Sequence, residues 1–121
     1  MLVLARKPGQ KIIIGSTVTM ELTGVDSAQR ASLVFESPQP LRLSSEHARL
    51  NINMSAGTPD DPAHAELALG VNQSVEVNEE ISVMVVSVKG DQVRIGFTAP
   101  PDVQIFREEV FLEIQREKEG R

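Results

Sequence analysis

ISVMVVSVKGDQVRIGFTAPPDVQIFREEVFLEIQREKE, residues 81–119, decides the reading of this chain, because a worn copy of its opening pattern stands earlier. Val77, Ile81 and Gln92 fall on Ile14, Val18 and Gln29 at a spacing of 63 residues. Pro100, Ile105 and Glu108 fall on Pro38, Leu43 and Glu46 at a spacing of 62. A fixed period with one slipped residue is the mark of a tandem duplication. The match extends beyond those points. VTMELTGVDSAQ (18–29) follows ISVMVVSVKGDQ (81–92) position for position, and LALGVNQSVEV (67–77) falls on LARKPGQKIII (4–14).

Local patterns predict strands and one helix. Ile81 to Val88 is β-branched, Lys89-Gly90-Asp91 makes a hairpin turn, and Gln92 to Thr98 returns with Val93, Ile95 and Phe97 on one face. Ala99-Pro100-Pro101-Asp102 cannot lie in a central strand, since proline lacks a ladder donor; Val103 to Arg107 is then a last short strand. From Glu108 the period changes, and Val110, Phe111 and Ile114 take helical spacing over about 108–119. Glu108 and Glu109 at its start, with Arg116 and Lys118 near its end, suit the helix dipole. In the first half, Leu2–Arg6, Lys11–Ile14 and Thr17–Gly24 read as strands, the last alternating Val18, Met20 and Leu22 against Thr19, Glu21 and Thr23.

NINMSAGTPDDPA, residues 51–63, has linker composition. Fully extended, it would reach up to roughly 43 Å. The expected organisation is an N-terminal module over 1–50, degenerate after its first two strands, a linker over 51–63 and a C-terminal module over 64–121.

Composition bounds the function. At 121 residues the chain fits one ordinary domain or two very small ones, and halves of this size have marginal cores when alone. The absence of cysteine excludes a disulfide framework and suits a reducing compartment. The short apolar run before Arg6 is neither a signal peptide nor a membrane span, so a cytoplasmic protein with no membrane partner is expected. The net charge of −5 argues against indiscriminate nucleic-acid binding. Residues 1–58 carry six basic and four acidic side chains, a balance of +2, whereas residues 59–121 carry six and thirteen, a balance of −7. Any RNA site must therefore be local and built on a few arginines.

An enzyme is not expected. There is no cysteine nucleophile, no glycine-rich phosphate loop and no serine–histidine–aspartate arrangement. Glu79-Glu80 and Glu108-Glu109 are adjacent in sequence, so neither makes a catalytic dyad. His47 and His64 stand alone, without cysteine or a second histidine at ligand spacing, and no metal or other cofactor is expected.

The opening MLVLARKPGQKIIIG together with VKGDQVRIGFTAPPDV and REEVFLEIQ resembles the carbon storage regulator family (CsrA/RsmA). Members are usually about half this length and act as homodimers, so residues 16–80 are the anomaly. They are either an insertion into one module or part of the duplication, and the shared turn positions favour duplication. The expected fold is then mainly β: two five-strand modules fused as a strand-exchanged pseudo-dimer with a C-terminal α-helix.

The resemblance implies a composite RNA site, in which the first strand of one protomer lies beside the last strand of the other and a GGA motif of an RNA hairpin loop is held between them. Here one such edge joins Leu4, Ala5, Arg6 and Lys7 to Val103, Gln104, Ile105, Phe106 and Arg107, and these nine residues are the candidate RNA-binding set. Phe106 stands where the family commonly has histidine. The other edge joins residues 65–69 to 41–45, where Leu69 answers Arg6 and Ser45 answers Arg107. One working site and one dead one are expected. Two functions remain. The first is a post-transcriptional regulator of mRNA leaders. The second is a degenerate protein-interaction module that titrates a protein antagonist or pairs with ordinary protomers. The linker length allows either a monomeric pseudo-dimer or a strand-swapped dimer.

Overall fold

The computed structural model of the chain describes residues 1–46, 51–52 and 57–119, with the side chains of 51, 52, 118 and 119 excepted. Its elements in chain order are β1 (Leu2–Arg6), β2 (Lys11–Ile14), β3 (Val18–Val25), β4 (Ala31–Ser37), β5 (Leu43–Ser44), β6 (Asn51–Ile52), β7 (Ala63–Leu69), β8 (Ser74–Val77), β9 (Ile81–Lys89), β10 (Gln92–Thr98), β11 (Ile105–Arg107) and α1 (Glu108–Glu119).

The strands form two antiparallel sheets. One runs β1-β10-β9-β8-β5, the other β11-β2-β3-β4-β7-β6. Each sheet therefore combines strands from both halves of the chain: β1 and β5 flank the meander β8-β9-β10, while β11 and β7 flank β2-β3-β4. Period-2 alternation dictates which side chains face inward. Val18, Met20 and Leu22 of β3 meet Val83 and Val85 of β9 in one core, with Leu33 and Phe35 of β4 and Ile95 and Phe97 of β10. Among the described residues nineteen buried apolar side chains form that cluster, so the two halves share one interior rather than holding one each.

The period seen in the sequence recurs in backbone geometry. The Gly9 amide donates to the Leu22 carbonyl at 2.7 Å, and 63 residues on the Asn72 amide donates to Val85 at 2.7 Å. Leu22 N–H to Gln10 O, 3.2 Å, is repeated by Val85 N–H to Gln73 O, 3.1 Å. The Gln10 side-chain carbonyl accepts from Lys7 N–H at 2.9 Å, and Gln73 accepts from Gly70 N–H at 2.8 Å. The β3–β4 ladder skips Thr23 and the β9–β10 ladder skips Val86, so the bulge also repeats at 63 residues. The slip to a spacing of 62 falls in the hairpins. Gly90 and Asp91 close the second one, with Gly90 at a φ of 61° that residues with a Cβ rarely adopt. The first spans residues 26–30, tied by the Asp26 carboxylate to the amides of Ala28 and Arg30.

Three boundaries differ from the sequence expectation. The last strand begins at Ile105 rather than Val103, because Val103 N–H closes a turn onto Pro100 O and Gln104 O accepts from Gly15 N–H. The first half stays well formed after its second strand, since β3 and β4 are eight and seven residues long and bury their alternate side chains; only β5 is reduced to two residues. The segment 51–63 contributes β6 and the first residue of β7, and its residues 53–56 lie outside the described residues.

Candidate nucleic-acid interface

β1 and β11 border different sheets, each with one hydrogen-bonded neighbour among the described residues: β10 for β1 and β2 for β11. They are not paired with each other. They meet across a cleft lined by Met1 and Leu2 on one side and Val103 and Ile105 on the other, with Pro100 and Pro101 closing one end. Leu2 and Val3 are exposed at 44% and 45%. Leu4, Val103 and Ile105 are half-buried against the core. The outward backbone edges of both strands thus offer unpaired N–H and C=O groups beside apolar side chains, a surface that suits single-stranded bases.

The candidate residues do not all reach that surface. Ala5 is half-buried, Lys7 and Gln104 are exposed, and Phe106 is half-buried with its ring centroid 6.2 Å from that of Phe111. Arg107 is about half exposed, its Nε 3.6 Å from Glu109 Oε1. Arg6, which the resemblance set on the RNA face, is instead buried, at 4% exposure. Its guanidinium donates to Glu109 Oε2 at 3.1 Å and Oε1 at 3.0 Å, and to the carbonyls of Ala5 at 2.7 Å and Lys11 at 3.3 Å. The physical reason is register: Arg6 sits opposite Val93 of β10 and points inward with it. Leu69, at the matching position of β7, is also fully buried. A buried guanidinium needs a carboxylate and satisfied donors, and Glu109 supplies both. That bidentate contact holds the Glu109 carboxyl below the usual range, with Arg107 adding a smaller electrostatic contribution.

From sequence alone Glu109 is only an acid suited to the helix dipole. No sequence signal links it to a residue 103 positions away; only the helix start packed beside β1 does. At spacings of 63 and 62 residues, Leu69 corresponds to Arg6 and His47 to Glu109, so this ion pair has no counterpart at the second edge. His47 lies outside the described residues.

That second edge differs in three further ways. Ser45, in place of Arg107, donates its hydroxyl to Ser74 O at 2.7 Å. A cleft there is lined by Ser44, Ser45, Ser74, Glu46 and Glu76, with no cationic side chain. And β7 is not an edge: β6 pairs on it, Asn51 with Glu66 and Ile52 with Ala65, at the positions that match Val3 and Leu2 of β1.

His64 sits on β7 between two carboxylates, Nδ1 3.1 Å from Glu36 Oε1 and Nε2 3.0 Å from Glu66 Oε1. Its pKa is raised, first by the Glu66 hydrogen bond and then by Glu36. Among the described residues no group of histidine, aspartate and glutamate is arranged to hold a metal ion, and no helix is long and apolar enough to cross a membrane.

Comparison with known proteins bears on the second half. The family described as "CsrA: Global regulator protein family" matches residues 67–116. Among curated proteins, the translational regulator CsrA of Geotalea uraniireducens is 47% identical over 47 residues, 39% of this chain and 60% of that protein. The translational regulator CsrA of Brachyspira hyodysenteriae is 43% identical over 49 residues, 40% of this chain and 60% of its own length. That of Leptospira biflexa is 47% identical over 51 residues, 42% and 65% respectively. The chain thus spans less than two thirds of the length of these relatives. No solved structure gives a significant match. Through residues 67–116, the chain is similar to the carbon storage regulator (CsrA) family.

Proposed function

We propose that the chain is an RNA-binding post-transcriptional regulator that recognises GGA-containing hairpin loops in mRNA leaders, alters their translation or stability, and does so through one edge per chain. The difference between the two edges carries this reading. At the first, Arg107 is exposed beside an open β1; at the second, Ser45 stands beside a β7 that β6 covers. Loop bases would lie in the cleft between Met1–Leu2 and Val103–Ile105, above the half-buried Leu4, and bond to the free backbone edges, while Arg107 pairs its planar fork with guanine or phosphate. Lys7 borders the edge, while Phe106 and Gln104 lie beside it on the face turned away from the cleft. Arg6 acts from the interior, holding β1 to the start of α1, so that β1 and β11 stay in register for the RNA.

The organisation proposed with it is a duplicated module, 1–50 and 64–121 about a connector at 51–63, folded as an internal strand-exchanged dimer in one monomeric chain. The backbone hydrogen bonds repeated at a spacing of 63, and the sharing of both sheets between the halves, support that reading. One edge per chain cannot bridge two motifs on one transcript, so the avidity of linked sites is absent. One observation favours the protein-interaction alternative: of the two arginines at the first edge, only Arg107 is free to meet a ligand.

Calorimetric titration with a GGA-loop hairpin, at two salt concentrations and against a loop-scrambled control, tests the proposal. The expected result is saturation at one hairpin per chain, weakened by salt and lost with the scrambled loop. Saturation at two per chain would overturn the single edge, and no binding at low salt would favour the protein-interaction reading.

A further inference from the structure

β11 has two faces. Ile105 turns toward the cleft shared with β1, whereas Phe106, and Gln104 just before the strand, turn the other way, into a separate pocket of about 220 Å³ between β11 and α1. Its apolar wall is Phe106, Phe111 and Ile114; its polar rim is Asp102, Gln104 and Gln115. Among the described residues, the side chains of those three rim residues have no hydrogen-bond partner. The pocket is smaller than the roughly 300–1,000 Å³ of a site for a drug-sized ligand, and suits one planar ring system. The Asp102 carboxylate on its rim repels phosphate, so a nucleotide would enter by its base and leave its phosphate outside.

We propose that this pocket is a second base-binding subsite, which takes one unstacked guanine from RNA held along the open edge of β11. The inference rests on the RNA reading above and deepens it. A chain of RNA following a strand edge can lay successive bases to either face, and Phe106 lines the pocket from the same strand that carries Arg107. The aromatic wall stacks any base. The rim selects: a carboxylate accepts two parallel N–H donors, and guanine alone among the four bases presents such a pair, N1–H and N2–H, on its Watson–Crick edge. Gln104 and Gln115 supply donors for O6.

The test uses the full chain and GGA hairpins with one additional unpaired residue beside the motif, in turn on its 5′ and 3′ sides: guanosine, inosine or an abasic sugar. Guanosine on one side is expected to tighten binding about tenfold over the abasic sugar, in line with base–aromatic stacking. Inosine, lacking the N2 amino group, loses most of that gain. Asp102→Asn abolishes discrimination between guanosine and inosine and leaves the affinity for the abasic hairpin unchanged, and Gln115→Leu halves the gain or more. Equal affinity for guanosine and abasic hairpins on both sides overturns the inference while leaving the RNA reading intact. Failure of every hairpin to bind removes the RNA reading, and this inference with it.

Discussion

Arg6 and Arg107 look equivalent in the sequence, as two arginines on strands that come together, yet they do different things. Arg107 is exposed, and Arg107→Ala is expected to weaken hairpin binding roughly 10- to 100-fold, the value of one bidentate base contact. Ser45→Ala, at the matching place on the second edge, should leave affinity unchanged; equal losses in the two titrations would sink the single-edge reading. Arg6 is a buried cation whose partner, Glu109, is 56% exposed. After allowance for solvent screening, Glu109→Ala should cost about 1 kcal/mol in urea unfolding, because it leaves the guanidinium short of two acceptors. The pH dependence has a definite sign. The folded-state pKa of Glu109 is depressed, so its contribution is complete above the ordinary value of 4.5 and lost as pH falls through the lowered one. Stability measured through that acid range should fall less steeply in the alanine variant. The burial of Arg6 was illegible in the sequence, since period-2 alternation gives the face of a side chain only once the strand's neighbour, β10, is known.

Among the elements, the long strands and the helix were legible because each satisfies its own periodicity over several residues. The helix starts and ends as the spacing predicted, at Glu108 and Glu119. Of the shortest elements, β5 falls within the expected strand at 41–45 but keeps two residues and pairs with β8, whereas β6, also two residues, was not legible and exists through β7 beside it. The seam between β4 and β7 joins the two halves within one sheet, and His64 clasps it by bonding Glu36 of β4 and Glu66 of β7. The raised folded-state pKa of His64 means the clasp stabilises fully below its ordinary value of 6.5, and that this contribution is lost as pH rises through the raised value. His64→Gln should therefore flatten the stability curve on the alkaline side of 6.5, and thermal unfolding across that range checks it. A decline as steep as in the parent protein would show that the clasp contributes nothing.

At the scale of the molecule, both sheets are completed only by strands from the other half. Neither half alone could cover the faces of its three-strand meander, and the single core spans both. A protease site placed in the exposed turn at 58–61 and cut in the folded protein should leave the halves together, eluting as one species of the intact 13.2 kDa size. Separation into two folded fragments would contradict the shared core. For the same reason unfolding of the uncut chain should be a single cooperative transition.

The sequence by itself determined the period of 63 residues, the strands and helix that local alternation can specify, and the charge contrast between the halves. These are properties of neighbours along the chain, and side-chain periodicity and turn chemistry record them directly. It also put Arg107 and Phe106 on one short strand beside the helix. Only the tertiary structure decided that Arg6 is buried against Glu109, that β6 covers the edge of β7, and that β1 and β11 face each other across a cleft from different sheets. Each of those depends on contacts between residues distant in sequence, where packing and the pairing of buried charge choose among arrangements that local propensity leaves equal.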